Sequence, residues 1–259
     1  MNLGSVNVVL RPRTARESFD LAFLFLIRVG GLPYLWLCAS VMLPALAACV
    51  SLVLWLDWPE SYVWWVAVPL GVWLQGLFTI ATGQLMFATR LEPRSVLRAF
   101  LRRLPAYTLG LLASRALALL LASTVVLAPW GWSRVLFVPE MVLLEGLSVG
   151  AAIQRSSRLG KTRGGLELAL WMAGSVAYFV FAGWELGRSV VHFTLQIPAP
   201  LPSETITLDS VYGLLGWFCS LPLLAALRFF RYVDGRTRSD GWDAQVKLQR
   251  MAQASVAQT

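Results

Sequence analysis

The chain has few of the residues from which most soluble enzymes are built. Charged residues make up 14% of its 259 positions, against about a quarter in soluble domains. Its only histidine is His192, so a histidine-rich metal site and a Ser-His-Asp triad both lack their parts. These shortages predict a non-enzymatic protein that needs no metal ion and no cofactor.

Cysteine is also scarce. The three cysteines, Cys38, Cys49 and Cys219, all lie inside apolar runs, where a disulfide framework is not expected. A free cysteine in such a run behaves as a small hydrophobic side chain. The sequence therefore predicts three buried thiols.

Apolar residues dominate instead. They are 57% of the chain, which includes 12 tryptophans, and the mean hydropathy is +0.64. A net charge of +8 could suit nucleic acid, but the basic residues form short clusters between apolar runs, as membrane topology requires. The composition predicts an integral membrane protein with no nucleic-acid partner.

Membrane spans follow from the length of the apolar runs, since a helix needs roughly 20 residues to cross the hydrocarbon core. Five stretches are long enough: 32–56, 62–88, 106–128, 166–187 and 209–230. The stretch 166–187 qualifies if Glu167 and Glu185 lie at its two ends. A sixth candidate, 134–153, is less regular because it contains Pro139, Glu140 and Glu145.

Positive charge favours a crossing at 134–153. With six spans, every lysine and arginine except Arg115, Arg134 and Arg188 lies on the side of the two termini. Without this crossing, the later basic clusters change sides and the asymmetry largely vanishes. The positive-inside rule therefore predicts six spans with both termini in the cytoplasm.

The predicted architecture is all-α, with six transmembrane helices arranged as three hairpins. A cytoplasmic tail and interfacial helix occupy 1–30, the six-span domain occupies 31–231, and a cytoplasmic tail occupies 232–259. Amphipathic segments precede the odd-numbered spans and are expected to lie on the membrane surface; alternatively, they are the cytoplasmic ends of long membrane helices. The following residues are expected to contact anionic headgroups: Arg94, Arg98, Arg102, Arg103, Arg155, Arg158 and Lys161.

Three stretches occur in order around the apolar runs: "RPRTARESFDLAF", "PEMVLLEGLSVGAAIQRSSRL" and "RFFRYVDGRTRSDGWDAQVKL". Together they resemble the bacterial membrane-domain family named after the glycerophosphoryl diester phosphodiesterases. The most specific parts are Pro139–Glu145–Arg155–Ser156 and Tyr232–Asp234–Arg236–Arg238–Gly241–Asp243. In those phosphodiesterases catalysis belongs to a separate soluble barrel, for which this chain has no counterpart. The resemblance implies a bacterial inner-membrane module without the enzyme and without catalytic residues.

Two pairs of residues inside the predicted spans are candidates for tertiary contacts. Arg115 and Glu145 lie at similar depth in neighbouring antiparallel spans, where each buried charge requires a partner, so they are predicted to form an ion pair. A structural clamp is favoured over a transport site. Gly146 and Gly150 have the GxxxG spacing that permits close helix packing.

The predicted role is a membrane-embedded scaffold or accessory subunit of a protein complex. Its partners would be anionic lipids and another membrane protein or a second copy of the chain. The alternative is a small transporter or lipid-handling permease that uses the region of Arg115 and Glu145. A membrane enzyme ranks third.

Overall fold

The computed structural model describes residues 13–88, 91–123, 128–160, 165–194 and 210–241. Most of these residues are helical, and none of them is in a strand. The helices are α1 Ala15–Phe25, α2 Gly31–Leu56, α3 Glu60–Phe87, α4 Pro93–Ala122, α5 Ala128–Val135, α6 Val138–Glu140, α7 Val149–Leu159, α8 Gly165–Ser189 and α9 Val211–Asp240. Short π-helical turns follow α1, α6 and α8, at Leu26–Gly30, Met141–Glu145 and Val190–Thr194. The all-α prediction is confirmed.

Five helices are long and apolar enough to cross a membrane: Ala15–Leu56, Glu60–Phe87, Pro93–Leu121, Glu167–Phe193 and Val211–Ser239. Large aromatic side chains around the turn from α2 to α3 are exposed, including Trp55 at 84% and Trp65 at 79%. Exposed indoles at helix ends are typical of a membrane interface. The chain is therefore a multi-pass membrane protein.

The first of these helices bends between α1 and α2. Thr14 begins α1 with a capping box to Glu17, and the buried residues of α1 face α8 and α9. At Gly31 the backbone takes a φ of 55°, which disfavours residues with a side chain. The bend separates amphipathic α1 from the uniformly apolar α2.

Helix α9 lies at the centre of the molecule. In the most apolar 18-residue stretch of α9, 89% of the residues are buried, whereas the corresponding share in the other four candidate spans is 17–50%. It contacts α1, α2, α3, α7 and α8. Its first turn is held by Glu60 of α3, whose Oε2 accepts a hydrogen bond from the backbone N–H of Val211 at 2.8 Å.

Glycines allow α8 and α9 to approach most closely. A Cβ added at Gly216 would lie 1.8 Å from the carbonyl oxygen of Phe179, and one added at Gly183 would lie 2.3 Å from the backbone nitrogen of Gly216. Gly187 faces Tyr212 in the same interface. Small residues in this arrangement permit backbone-to-backbone packing. Gly183 and Gly187 form the GxxxG pair that packs here.

Gly146 and Gly150 do not form the predicted packing pair. Gly146 has a φ of 70° and ends the π-helical turn, so it is not on a helix with Gly150. A Cβ added at Gly150 would meet nothing within 4 Å. The prediction was wrong because GxxxG spacing has meaning only on a continuous helix.

The stretch 134–153, predicted as one span, is broken into α5, α6, a π-helical turn, three non-helical residues and the start of α7. It runs antiparallel to α4. Leu121, Arg115 and Arg103 of α4 lie near Gly131, Trp132 and Leu143 respectively. As residue numbers fall along α4, they rise along this segment. The segment is called the broken passage below.

Two further expectations differ from the structure. Helix α9 continues to Asp240 and its residues Tyr232, Val233 and Asp234 are buried, so no structural boundary lies between 231 and 232. Residues 242–259 lie outside the described residues. Cys38 and Cys49 are buried as free thiols, but Cys219 is exposed on α9.

Candidate functional site

A buried ionic centre joins α9 to the broken passage and to α3. Arg228 is 4% exposed and Glu140 is 1% exposed. The Nη2 atom of Arg228 lies 2.9 Å from Oε1 and 3.0 Å from Oε2 of Glu140. Arg228 also donates hydrogen bonds to the carbonyl oxygen of Leu136 at 3.1 Å and to Oε1 of Gln75 at 3.2 Å. One guanidinium therefore links three segments inside the bundle.

Arg115 approaches this centre without entering it. Its guanidinium lies over the ring of Trp132, 4.8 Å from the ring centroid, a distance at which a cation is attracted to the ring face. It makes no ion pair with Glu145, so the predicted Arg115–Glu145 pair was wrong. The prediction counted depth from residue 106, whereas α4 begins at Pro93. The residues around Glu145, Leu143 and Gly146, lie against Arg103, which is 12 positions before Arg115.

Glu145 is instead part of a second polar cluster. One carboxylate oxygen accepts a hydrogen bond from Arg155 at 2.6 Å. The other accepts a hydrogen bond from the hydroxyl of Tyr232 and lies 3.5 Å from Nη1 of Arg236. The cluster fixes the π-helical turn and α7 against the last third of α9.

A third cluster attaches the N-terminal end of the described chain to α9. Asp234 accepts hydrogen bonds from the backbone N–H of Arg13 at 2.7 Å and from Nε of Arg238 at 3.1 Å. Its second oxygen also lies 3.3 Å from Arg231. The carbonyl oxygen of Arg13 accepts a hydrogen bond from Arg238 at 2.7 Å. We call the end of the bundle that holds the Asp234 and Glu145 clusters the basic end.

The predicted headgroup contacts lie in different environments. Arg94, Arg98 and Arg102 are exposed at the start of α4, and Arg158 is exposed on α7. Arg103 is half-buried and donates a hydrogen bond to the carbonyl oxygen of Leu143. Arg155 pairs with Glu145. Lys161 lies outside the described residues.

Two cavities are associated with these elements. A cavity of about 10 Å³ lies between Arg115, Trp132 and Arg228, which is close to the minimum space for one water molecule. A groove of about 520 Å³ runs between α1 and α8, with Phe19, Trp171 and Tyr178 among the residues of its walls. The first is small and is lined by both charged and apolar side chains, and the second is apolar and open.

No protein-family model, no curated protein and no solved structure matches this chain.

Sequence reasoning missed two residues that organise the site. Arg228 was assigned to the cytoplasmic basic residues, although it lies 17 positions into α9 and is buried. Glu60 was not among the predicted site residues, although its carboxylate caps α9. The signal for Arg228 was a pair of polar residues at matching depth, Gln75 in one span and Glu140 in another.

Proposed function

We propose that the protein is a non-enzymatic, membrane-embedded scaffold, an accessory subunit that binds a transmembrane helix of a partner membrane protein in the groove between α1 and α8. The charges of the bundle interior favour a structural role, because the centres at Glu140, Glu145 and Asp234 each join one segment of the chain to α9. Such contacts hold segments of the bundle together, as expected of a structural role, and do not form a pathway for a solute.

The groove is the observation that carries the proposal. It follows α8 from Glu167 to Phe179, which is roughly 18 Å at 1.5 Å per residue. Ala173, Gly174 and Ala177 are exposed on this helix, and a Cβ added at Gly174 would meet nothing within 4 Å. Small exposed residues allow a second helix to approach closely in lipid, where dispersion contacts hold helices together.

Anionic lipid is the second proposed partner. Arg94, Arg98 and Arg102 recur every four residues along one exposed side of α4, with exposed Leu97 and Leu101 beside them. Each arginine near an anionic membrane surface contributes about 1 kcal/mol. This stripe suits the cytoplasmic leaflet of a bacterial inner membrane.

The membrane arrangement proposed here has six passages, with the broken passage as the fourth and both termini in the cytoplasm. Helices α3 and α9 run in the same direction and α8 runs in the opposite direction. These directions are expected if the broken passage also crosses the membrane. We also propose membership of the membrane-domain family named after the glycerophosphoryl diester phosphodiesterases. The three stretches that carry this resemblance contain Arg13, Glu145 and Asp234, whose contacts all meet on the last third of α9.

A small transporter is the second candidate. The broken passage favours it, because discontinuous helices beside buried charges build the sites of many transporters. The cavity at Arg115, about 10 Å³, would have to enlarge to admit a solute.

Site-specific photo-crosslinking in the native membrane tests the scaffold proposal. A benzophenone amino acid replaces Ala177 beside the groove, or Leu120, which is 70% exposed on α4. We expect one discrete adduct with another membrane protein from position 177 and none from position 120. The added substitution Gly174→Trp should abolish the adduct, and Gly150→Trp, which also fills open space, should leave it. Adducts with lipid alone, or with a second copy of the chain, would refute the partner-helix proposal.

A further inference from the structure

Among the described residues, the surroundings of the small cavity carry more positive than negative charge. Arg115 and Arg228 both line the 10 Å³ cavity, and Glu140 is the carboxylate beside them. Both oxygens of Glu140 lie within 3.0 Å of Arg228, so its negative charge is paired with this arginine, although its Oε1 accepts no hydrogen bond. In the described part of the chain, Arg115 has the ring of Trp132 but no carboxylate partner.

Hydrogen-bond donors on the walls of the cavity are unsatisfied. The Nε atom of Arg228 and the Nε1 atom of Trp132 are buried and have no hydrogen-bond partner. Water from outside the bundle does not reach Arg228 as a substitute acceptor, because this side chain is only 4% exposed. A buried donor left without an acceptor costs about 1–3 kcal/mol. Ser114, also on the wall, uses its hydroxyl hydrogen on the carbonyl oxygen of Leu111 at 2.9 Å. The wall therefore offers donors and net positive charge.

We propose that this cavity is a binding site for one monatomic anion of the chloride class, held by Arg115, Arg228 and the indole N–H of Trp132. An anion accepts hydrogen bonds from all three groups and neutralises the excess charge, which is costly in a low-dielectric interior. Space for a single water-sized species excludes phosphate, sulfate and lipid headgroups. This site is independent of the scaffold proposal, since no groove residue belongs to it.

Thermal unfolding of the purified full-length protein in detergent tests the site. Sodium chloride is titrated at constant ionic strength against sodium gluconate, whose anion is too large for the cavity. A ligand that binds the folded state raises stability with the logarithm of its concentration. We expect Tm to rise with chloride and with bromide, and to stay constant in gluconate.

Two variants separate a specific site from a general salt effect. Arg115→Gln should abolish the dependence of Tm on chloride. Arg188→Gln is the matched control, because Arg188 also lies over an indole, 5.2 Å from the Trp184 centroid, but has Glu185 at 3.6 Å. This control should keep the full dependence.

Trp132→Phe provides a second variant if Arg115→Gln fails to fold. It keeps the aromatic ring and removes the N–H group, so chloride affinity should fall about tenfold, the effect of roughly 1.4 kcal/mol. Equilibrium binding of radioactive chloride should give one ion per wild-type chain. Equal Tm values in chloride and gluconate, an unchanged slope in Arg115→Gln, or no bound chloride would each overturn the proposal.

Discussion

Glu140 and Arg228 show what a single buried charge costs in this protein. Each is at most 4% exposed, and the hydration that either ion loses in the apolar interior is replaced only by the other and by a few dipoles. Removing one partner of such a pair typically costs about 3–5 kcal/mol, whereas removing both costs much less. The pair is therefore vulnerable to single substitutions.

Glu140→Gln should lower the free energy of unfolding by about 3–5 kcal/mol because it leaves the Arg228 guanidinium buried without a counter-charge. Titration of the protein in mixed micelles with a denaturing detergent measures this change. Glu167→Gln, on the exposed part of α8, is the control and should change stability by less than about 0.5 kcal/mol. The double variant Glu140→Gln with Arg228→Met should recover part of the loss. A double variant less stable than both single variants would contradict the ion-pair interpretation.

Sequence reasoning found the ionisable residues inside the apolar regions but not their partners. Arg115, Glu140 and Glu145 were recognised as charged groups in apolar surroundings, whereas Arg228 was not. Their partners depend on where each helix begins and how it is rotated. Arg115 lies beside Trp132, whereas the residues around Glu145 lie beside Arg103. The 12 residues from Arg103 to Arg115 separate the expected partners by about 18 Å along the axis, and composition alone does not reveal this offset.

The broken passage is the element on which the site depends. Its π-helical turn and Gly146 stop the helix before it reaches α7, and this stop places Glu145 beside Tyr232. A continuous helix would carry the residues after Glu145 onward along the same axis. The irregularity thus brings the Glu145 cluster together.

Two glycines in the broken passage should respond to alanine in opposite directions. Gly146→Ala should destabilise the protein by about 1–2 kcal/mol, because its φ of 70° is unfavourable for a residue with a Cβ. Gly150→Ala should stabilise it by up to about 1 kcal/mol, because Gly150 is helical with open space around it and alanine favours the helix.

The same micelle titration measures both glycine variants. A destabilising Gly150→Ala would indicate a packing contact at that position. A neutral Gly146→Ala would contradict the left-handed turn.

For individual helices, the length and apolar composition of each stretch predicted the five long ones. The expectation of one continuous helix at 134–153 was wrong, because average apolarity does not distinguish a continuous helix from a broken one. Pro139 and Gly146 were visible breakers, yet each is tolerated inside many membrane helices. The close contact of α8 and α9 was missed because Gly183 and Gly187 have no distinguishing composition, and only packing selects among glycine pairs.

Over the whole molecule, helix directions place the described start of α1, the end of α9 and α7 at the basic end. Gly235 faces Leu159 there, and Asp234 binds Arg13. The turn between α2 and α3 lies at the opposite end, beside the start of α9. These two ends should face different compartments.

Cysteine labelling of intact cells tests the arrangement of the two ends. After replacement of the three native cysteines, Trp58→Cys should react with a membrane-impermeant maleimide added outside. Arg158→Cys should react only after the cells are permeabilised. Labelling of both from outside, or of position 158 alone, would contradict six passages with cytoplasmic ends.

Charge asymmetry predicted this arrangement from the sequence because it sums over many arginines and tolerates errors at individual positions. Arg228 was assigned to the wrong environment, yet the remaining arginines gave the same orientation. The prediction of one specific ion pair, by contrast, fails if the position of either residue is wrong. This difference explains why the prediction of six passages with cytoplasmic termini survives the reassignment of Arg228, while the expected ion pair was wrong.

Helix α9 is both the most enclosed helix and the last described helix in the chain. Ribosomes deliver the N-terminal segments first, so α1 to α8 must enter the bilayer before the helix that fills the space among them is made. During that interval Glu140 and Gln75 lack Arg228, whereas Glu145 lacks Tyr232 but already has Arg155 of α7. Until α9 inserts, the nascent protein therefore carries two polar groups, Glu140 and Gln75, without the arginine that binds both.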